Sequence, residues 1–334
     1  MVSLLNKIRS SNDLILNESD LKWYRGLVEI QDAITQSTHF FFQEHGCKTL
    51  HLPITTLSIS SPLGRGSDSL PVQIDYLGKK TYLADSMQFM LEYGCRLHNE
   101  TTRGCYYLMP SFRDEKNDKT HLSQFYHSEV EIKGTLNEAI HIATDYLRTM
   151  TLSIMNQCED FIRYSVGDVS HIETFLNSND SIPQVTFDTA AKILNNNSSF
   201  IKDHGDFRTI THQGELQLID YYNGMIWLTH HDHLAVPFYQ AFDDAAFKQA
   251  KNADLLFGVG EVIGLGMRHL TSQDVCKALQ IHNVDPKPYS WYYLLRDVYP
   301  MQTSGFGIGT ERFICWILKR NNIHECNLIS LIDT

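Results

Sequence analysis

The sequence predicts an α+β fold: an antiparallel β-sheet flanked by helices. Three observations point there. Residues 121–133, "HLSQFYHSEVEIK", alternate with the period of two that a strand imposes. Other strand-like runs follow one another across turn residues, rather than each alternating with a helix as in a doubly wound parallel sheet. Two long stretches, 19–45 and 136–158, repeat apolar residues near the helical period.

The elements follow in order. In 19–45, Leu21, Trp23, Tyr24, Leu27, Ile30, Ile34 and Phe40/Phe41 share a helical repeat, with Asn17, Ser19 or Asp20 as N-cap and Gly46 as stop. "KTLHLP" (48–53) reads as a short strand ended by Pro53. The Ser-, Gly- and Pro-rich 58–71 is a long loop of the kind that covers sites. Residues 71–84 alternate around a Gly-Lys turn and predict a hairpin. "DSMQFMLEYGCRLHNE" predicts a helix capped by Asp85 or Ser86, and "GCYYLMPSFRDE" a strand followed by a loop. Residues 165–210 are polar and weakly patterned, and are expected to be an insertion. Residues 225–242 suggest a strand, a loop and a second strand; 253–270 suggest a strand pair bent at glycines. "DPKPYSWYYLLRDV" predicts a helix, and "SGFGIGTERFICWILKR" a glycine-rich strand entering one.

At 334 residues, 43% apolar and 20% charged, the chain can bury a sizeable core. Its net charge of −11 disfavours a surface built for nucleic-acid phosphates. The seven cysteines form no CxxC pair, as expected of reduced, packing thiols. No secretory leader or membrane-spanning run is evident, so a cytoplasmic location is expected and no membrane partner.

One face of the 121–133 strand carries Phe125, His127, Glu129 and Glu131, a mixture that suits a ligand better than a core. Arg113 and Arg312 are candidates to grip a polyphosphate, because the guanidinium fork pairs with phosphate oxygens. Phe125 can stack on a base, Glu115 can accept from an exocyclic amine, and His121 can reach a terminal phosphate. Gly305, Gly307 and Gly309 allow close approach of backbone to ligand. Asp254 and Glu261 can converge on a hard cation such as Mg²⁺.

In combination, these segments resemble the catalytic domain of class II aminoacyl-tRNA synthetases, closest to the asparaginyl/aspartyl branch. The likeness covers most of residues 22–334, leaving 1–21 as an N-terminal extension. The 19–53 segment resembles the family's first motif and implies a homodimer; "SFRDE…HLSQFYHSEVEI" resembles the second motif and "GFGIGTER" the third. The resemblance implies ATP as substrate and Mg²⁺ as its companion. It implies ATP contacts from Arg113, Glu115, His121, Phe125, Glu261, Gly309 and Arg312, with Arg113, His121 and Arg312 acting in catalysis. Asp254 and Glu261 would hold Mg²⁺, and Ser86, Gln88, Glu129, Arg268, Arg296 and His231 would serve the amino-acid substrate.

The departures from the pattern matter as well. Thr120 stands where an arginine is usual, Thr303-Ser304 replaces a Pro-His, and Leu91 stands where the aspartyl branch often has lysine. "THHDHLAV" (229–236) has two readings: zinc ligation through His231 and His233, or His230 and His231 as pocket residues handling an amine. No stretch before residue 22 is long enough for the branch's anticodon-binding domain. The leading expectation is therefore an ATP-dependent ligase that makes an acyl-adenylate and passes it to ammonia or another amine, like synthetase-derived asparagine synthetases, with tRNA not favoured. The alternatives are an aminoacyl-tRNA synthetase charging tRNA or another carrier, and a non-catalytic paralogue that binds nucleotide or amino acid.

Overall fold

The computed structural model describes residues 17–60, 64–67, 69–98, 100–114, 118–178 and 181–328. Helix α1 (Glu18–Glu44) starts where the Asn17 side chain accepts from the Asp20 amide at 2.8 Å. Just beyond it Gly46 takes φ +70°, a backbone that side chains resist. β1 (Cys47–Thr49) follows. Next come a small sheet of β2 (Thr55–Thr56), β3 (Gln73–Tyr76) and β4 (Lys79–Leu83), then α2 (Gln88–Leu97). The hairpin turns at Leu77–Gly78, one residue earlier than expected, with both residues at positive φ.

β5 (Gly104–Phe112) and β6 (Gln124–Lys133) pair without a break from Gly104↔Ile132 to Phe112↔Gln124. α3 (Leu136–Val166) opens with a capping box between Thr135 and Glu138. The weakly patterned 165–210 is largely ordered into α4 (Ser170–Asn177), β7 (Gln184–Thr186), α5 (Phe187–Ile193) and a hairpin, β8 (Ile201–Asp203) with β9 (Arg208–Ile210). After α6 (His212–Tyr221), β10 (Met225–Thr229) pairs in parallel with β7, so the segment expected as an insertion supplies one edge of the main sheet. The second strand expected within 225–242 does not form. From His230 to Lys251 the chain is a loop tied down by isolated bridges such as Gln240↔Arg268.

β11 (Asn252–Phe257) and β12 (Gly260–Met267) form the expected strand pair. α7 (Ser272–His282) and α8 (Ser290–Val298) follow, then β13 (Thr303–Gly309), which runs straight into α9 (Thr310–Ile317). The main sheet has the order β1-β5-β6-β13-β12-β11-β10-β7 and is antiparallel except at its two edges. This is the α+β architecture expected.

One face of the sheet is the core. Val130 and Ile132 of β6, Phe306 and Ile308 of β13, and Ile263 and Leu265 of β12 pack with Ile30, Ile34 and Phe42 of α1 and Tyr146, Leu147 and Met150 of α3. Each such burial stabilises the fold by roughly 1.5–3 kcal/mol. The alternation of the strands leaves their other residues on the opposite face, where the site lies. All seven cysteines are free thiols, and no helix among the described residues is long and apolar enough to cross a membrane.

Candidate active site

The site is built on rows of missing side chains. Across the β6–β13 pair, His127, Glu129 and Glu131 stand opposite Gly309, Gly307 and Gly305. On the other side of β13, Gly307 and Gly305 face Gly264 and Gly266 of β12. A Cβ on Gly305 would run into the Gln88 and Glu131 side chains, and one on Gly266 into Gln240. At Gly309 it would meet nothing within 4 Å. The glycines thus make room for polar side chains at one end and for open space at the other. The result is a cavity of about 700 Å³, lined by both Arg113 and Arg312.

At one end, the Arg113 guanidinium lies 5.1 Å from the centre of the Phe125 ring, and its Nε is buried with no hydrogen-bond partner. Arg312, in the first turn of α9, donates to the Glu261 carbonyl at 2.6 Å. The Tyr126 amide donates to both carboxylate oxygens of Glu311 at 3.1 Å, which ties α9 to β6 and fixes Arg312 relative to Phe125. Burial pushes the Glu311 carboxyl up to about 7. His121 is part of the cavity wall and hydrogen-bonds to Asp118 through Nδ1 at 3.0 Å. Glu115 lies outside the described residues.

Asp254 and Glu261 come together around Gly264. A Cβ there would stand 2.9 Å from Glu261 Oε1 and 3.9 Å from Asp254 Oδ1. A β-bulge between Leu255 and Leu256 shifts the register of the two strands between these acids. Burial raises the Asp254 carboxyl well above its usual range, and the charges of Glu261 and Glu215 add to the effect. Burial raises Glu261 too, with Arg312 opposing. Two hard oxygen donors that suffer from their own charge suit a Mg²⁺-like cation, which takes its remaining ligands from water and phosphate. Among the described residues no group of three or more His, Cys, Asp or Glu side chains could hold a metal alone. Glu215 lines the cavity from α6; nothing in its polar, weakly patterned surroundings marked it in the sequence.

The histidine cluster divides. His231 lines the cavity, its Nδ1 accepting from Asn252 Nδ2 at 2.8 Å and its Nε2 lying 3.3 Å from Asp254 Oδ2. Burial pushes its pKa down to about 4, so it does not titrate near neutrality as expected of an amine-handling base. His233 is directed elsewhere: its nitrogens bond His282 Nε2 at 2.9 Å and the Gln240 carbonyl at 2.8 Å. That pairing removes the zinc reading. His230 lies off the cavity, against Thr229 Oγ1 at 2.8 Å.

At the far end, Ser86 Oγ donates to Glu129 Oε2 at 2.8 Å, and the Tyr107 hydroxyl donates to the same oxygen. Burial, reinforced by Asp85, pushes Glu129 up to about 8. Gln88 Nε2 donates to Glu131 Oε2 at 2.6 Å and to the Val130 carbonyl at 2.8 Å. Arg268 Nη2 pairs with Glu131 Oε2 at 3.0 Å while its Nη1 donates to Gln240 Oε1 at 3.1 Å. Arg296 is a correction. It is buried between α2 and α8, donating to Glu92 Oε1 at 2.7 Å and to the His269 carbonyl at 2.8 Å, and has no face on the cavity. Leu91 is likewise buried, in a core with Cys95 and Cys105, so its apolar character carries no weight for substrate charge. Over the mouth, the Arg65 and Gly66 amides donate to the Leu234 and Ala235 carbonyls at 2.9 and 3.2 Å, bringing Ser67 and Ser69 onto the wall.

Residues 21–330 match the profile of the family described as tRNA synthetases class II (D, K and N). The chain belongs to that family. It is 26% identical over 306 residues to the asparagine–tRNA ligase of Thermoplasma acidophilum, spanning 90% of this chain and 68% of that protein. Its fold is similar to asparaginyl-tRNA synthetase from Pyrococcus horikoshii complexed with asparaginyl-adenylate (TM-score 0.81, 22% identity, 92% of this chain and 68% of that one). It is also similar to Entamoeba histolytica asparaginyl-tRNA synthetase in complex with asparaginyl-adenylate (TM-score 0.78, 20% identity, 97% and 72%). Family members of this type are ATP-dependent, amino-acid-adenylating ligases. These matches favour the synthetase alternative of the sequence reading over ammonia transfer, which has no support among them.

Proposed function

We propose that the chain activates the carboxylate of asparagine or aspartate with ATP, forming an acyl-adenylate and releasing pyrophosphate, and then passes the acyl group to a tRNA-type acceptor. The observation that carries this reading is the convergence of Arg113 and Arg312 on one cavity, with Phe125 beside the first and Glu261 beside the second. In a family of adenylating ligases, that arrangement suits a triphosphate held at both ends with its base against Phe125. Arg113 would neutralise charge as the α-phosphate is attacked, and Arg312 would hold the leaving pyrophosphate. Asp254 and Glu261 would hold Mg²⁺, which when bound supplies charge neutralisation on the phosphates. His121 would meet the outer phosphates.

Ser86, Gln88, Glu129 and Arg268 would position the amino acid. Hydrogen bonds from Ser86 to Glu129, and from Gln88 and Arg268 to Glu131, hold them in place before a substrate arrives, which limits the entropy lost on binding. The tRNA-type acceptor follows the printed names of the relatives. Pairing of two copies through α1 and β1 belongs to the same reading, supported by Phe40 and Val28, 64% and 46% exposed on α1.

The test is amino-acid-dependent ATP–pyrophosphate exchange across the twenty amino acids. Exchange with asparagine or aspartate is the expected result, and Arg113→Ala should lower it about 10²–10³-fold. Silence with every amino acid would end the proposal.

A further inference from the structure

Two adjacent tyrosines stand in β5, and strand alternation sends them to opposite faces. Tyr106 packs on Phe42 of α1, and its hydroxyl lies 3.0 Å from His39 Nδ1. Tyr107, 2% exposed, stands directly across the β5–β6 pair from Glu129. Its hydroxyl accepts from the Met87 amide at 2.7 Å, at the start of α2, and donates to Glu129 Oε2. Ser86 Oγ donates to the same oxygen at 2.8 Å and accepts from the Gln88 amide at 3.1 Å. The phenol thus ties the turn at 86–88 to the acid on β6.

The two oxygens of Glu129 are divided by these bonds. Oε2 takes two hydroxyl donors, which occupy its two lone pairs. Oε1 lies over the bare backbone of β13, where a Cβ on Gly307 would stand 3.0 Å from it. It also has His127 Nδ1 at 3.4 Å, on a ring kept neutral by burial, then by the Arg113 and Arg312 guanidiniums. Glu131, two residues on, has Arg268 as its cation. Among the described residues neither an arginine nor a lysine pairs with Glu129. Burial pushes its carboxyl up to about 8, and the charge of Arg268 opposes this only in part. A buried acid lacking a cation suits a ligand that brings one. An amino acid carries one on its α-nitrogen at neutral pH.

We propose that Tyr107 is a positioning residue for amino-acid binding: with Ser86 it ties down Glu129 Oε2, and so keeps Oε1 turned to the positively charged α-nitrogen of the substrate. The inference rests on the adenylation reading above and adds the residue that aims Glu129. With Oε2 filled by two donors, the proton of the neutral carboxyl belongs to Oε1. Docking of the ammonium group displaces that proton to solvent and leaves Glu129 ionised against it. Without the phenol hydroxyl, Oε2 loses one of its two hydroxyl donors and the Met87 amide loses its acceptor. The carboxylate can then rotate away from the substrate.

Tyr107→Phe tests this in the intact chain, through ATP–pyrophosphate exchange at varied amino acid and varied ATP. KM for asparagine or aspartate, whichever supports exchange, is expected to rise about 10-fold or more, with KM for ATP within about 2-fold of the unmodified chain. Tyr106→Phe removes the neighbouring hydroxyl from the core face and is expected to leave both KM values unchanged. Thermal melts of both variants check folding. An unchanged amino-acid KM in Tyr107→Phe, with or without a lower melting temperature, would reduce the phenol to a packing role and overturn the inference. Equal rises in the amino-acid and ATP KM, or the same rise in Tyr106→Phe, would overturn it too, and each of these leaves adenylation standing. Absence of exchange in the unmodified chain would overturn adenylation, and this inference with it.

Discussion

Arg268 and Glu131 form a buried ion pair at 3.0 Å beside Gln88 and Gln240, with the two side chains 3% and 0% exposed. Glu131 is held from a second side by Gln88, and Arg268 by Gln240 and the face of Tyr239. Glu131→Gln leaves the guanidinium uncompensated in a dry environment. The expected loss is about 3–5 kcal/mol of stability, read from the urea midpoint. A loss within 1 kcal/mol (roughly the scatter of surface changes) would mean that water reaches the pair.

Gly305 and Gly309 should behave as opposites although both belong to one glycine-rich strand. Gly305→Ala drives a methyl into Gln88 and Glu131, so it should cost about 1–3 kcal/mol and weaken amino-acid binding. Gly309→Ala enters open space at an ordinary φ of −74° and should leave the melting temperature unchanged. On the proposed function ATP would occupy that space, so ATP affinity should still fall. Calorimetric melts together with nucleotide titrations test the contrast.

Asp254→Asn should stabilise the free protein while harming catalysis. A carboxyl raised in the folded state contributes stability while protonated, and loses it as pH rises through its folded pKa. Above its unfolded pKa the fold must either keep Asp254 protonated or hold its buried charge, a cost that a neutral amide does not carry. A gain of about 1–2 kcal/mol, roughly 2–4 °C in Tm, is expected without Mg²⁺. ATP–pyrophosphate exchange should drop in the same variant.

One buried histidine should cost the fold stability in acid. Burial holds His233 at about 4, far below the usual 6.5. A depressed histidine contributes stability that is complete above its unfolded pKa and is lost as pH falls from about 6.5 towards 4. The His233 contribution should therefore be lost across that window, so Tm of His233→Gln should fall less, or rise more, than that of the unmodified chain as pH drops from 6.5 to 4. The same Tm-against-pH slope in His233→Gln and the unmodified chain would show that His233 titrates normally.

Much of this was legible in the sequence because it rests on periodicity. The alternation of 121–133 placed Phe125, His127, Glu129 and Glu131 on one face, and the strand shows them there. Arg113 and Arg312 were legible as an ordered pair around that strand. What escaped depended on contacts between distant segments. Arg296 looked available in a tyrosine-rich helix, but Glu92, two hundred residues earlier, draws it into the interior. His233 has the same residue type and neighbourhood as His231, and the approach of His282 and the Gln240 carbonyl sends it elsewhere. β7 was hidden because three residues of an edge strand carry too little pattern to register.

The division between the two sides of β12 and β13 has an evolutionary consequence. Ile263, Leu265, Phe306 and Ile308 anchor the helices, while the glycines between them carry no side chain that a new substrate would have to displace. Under the proposed function, selectivity would lie in what surrounds that bare ground: Gln88, Glu129, Gln240 and Arg268. A lineage could vary that border to try new amino acids, but not at Arg268, whose loss would strand the buried Glu131 carboxylate.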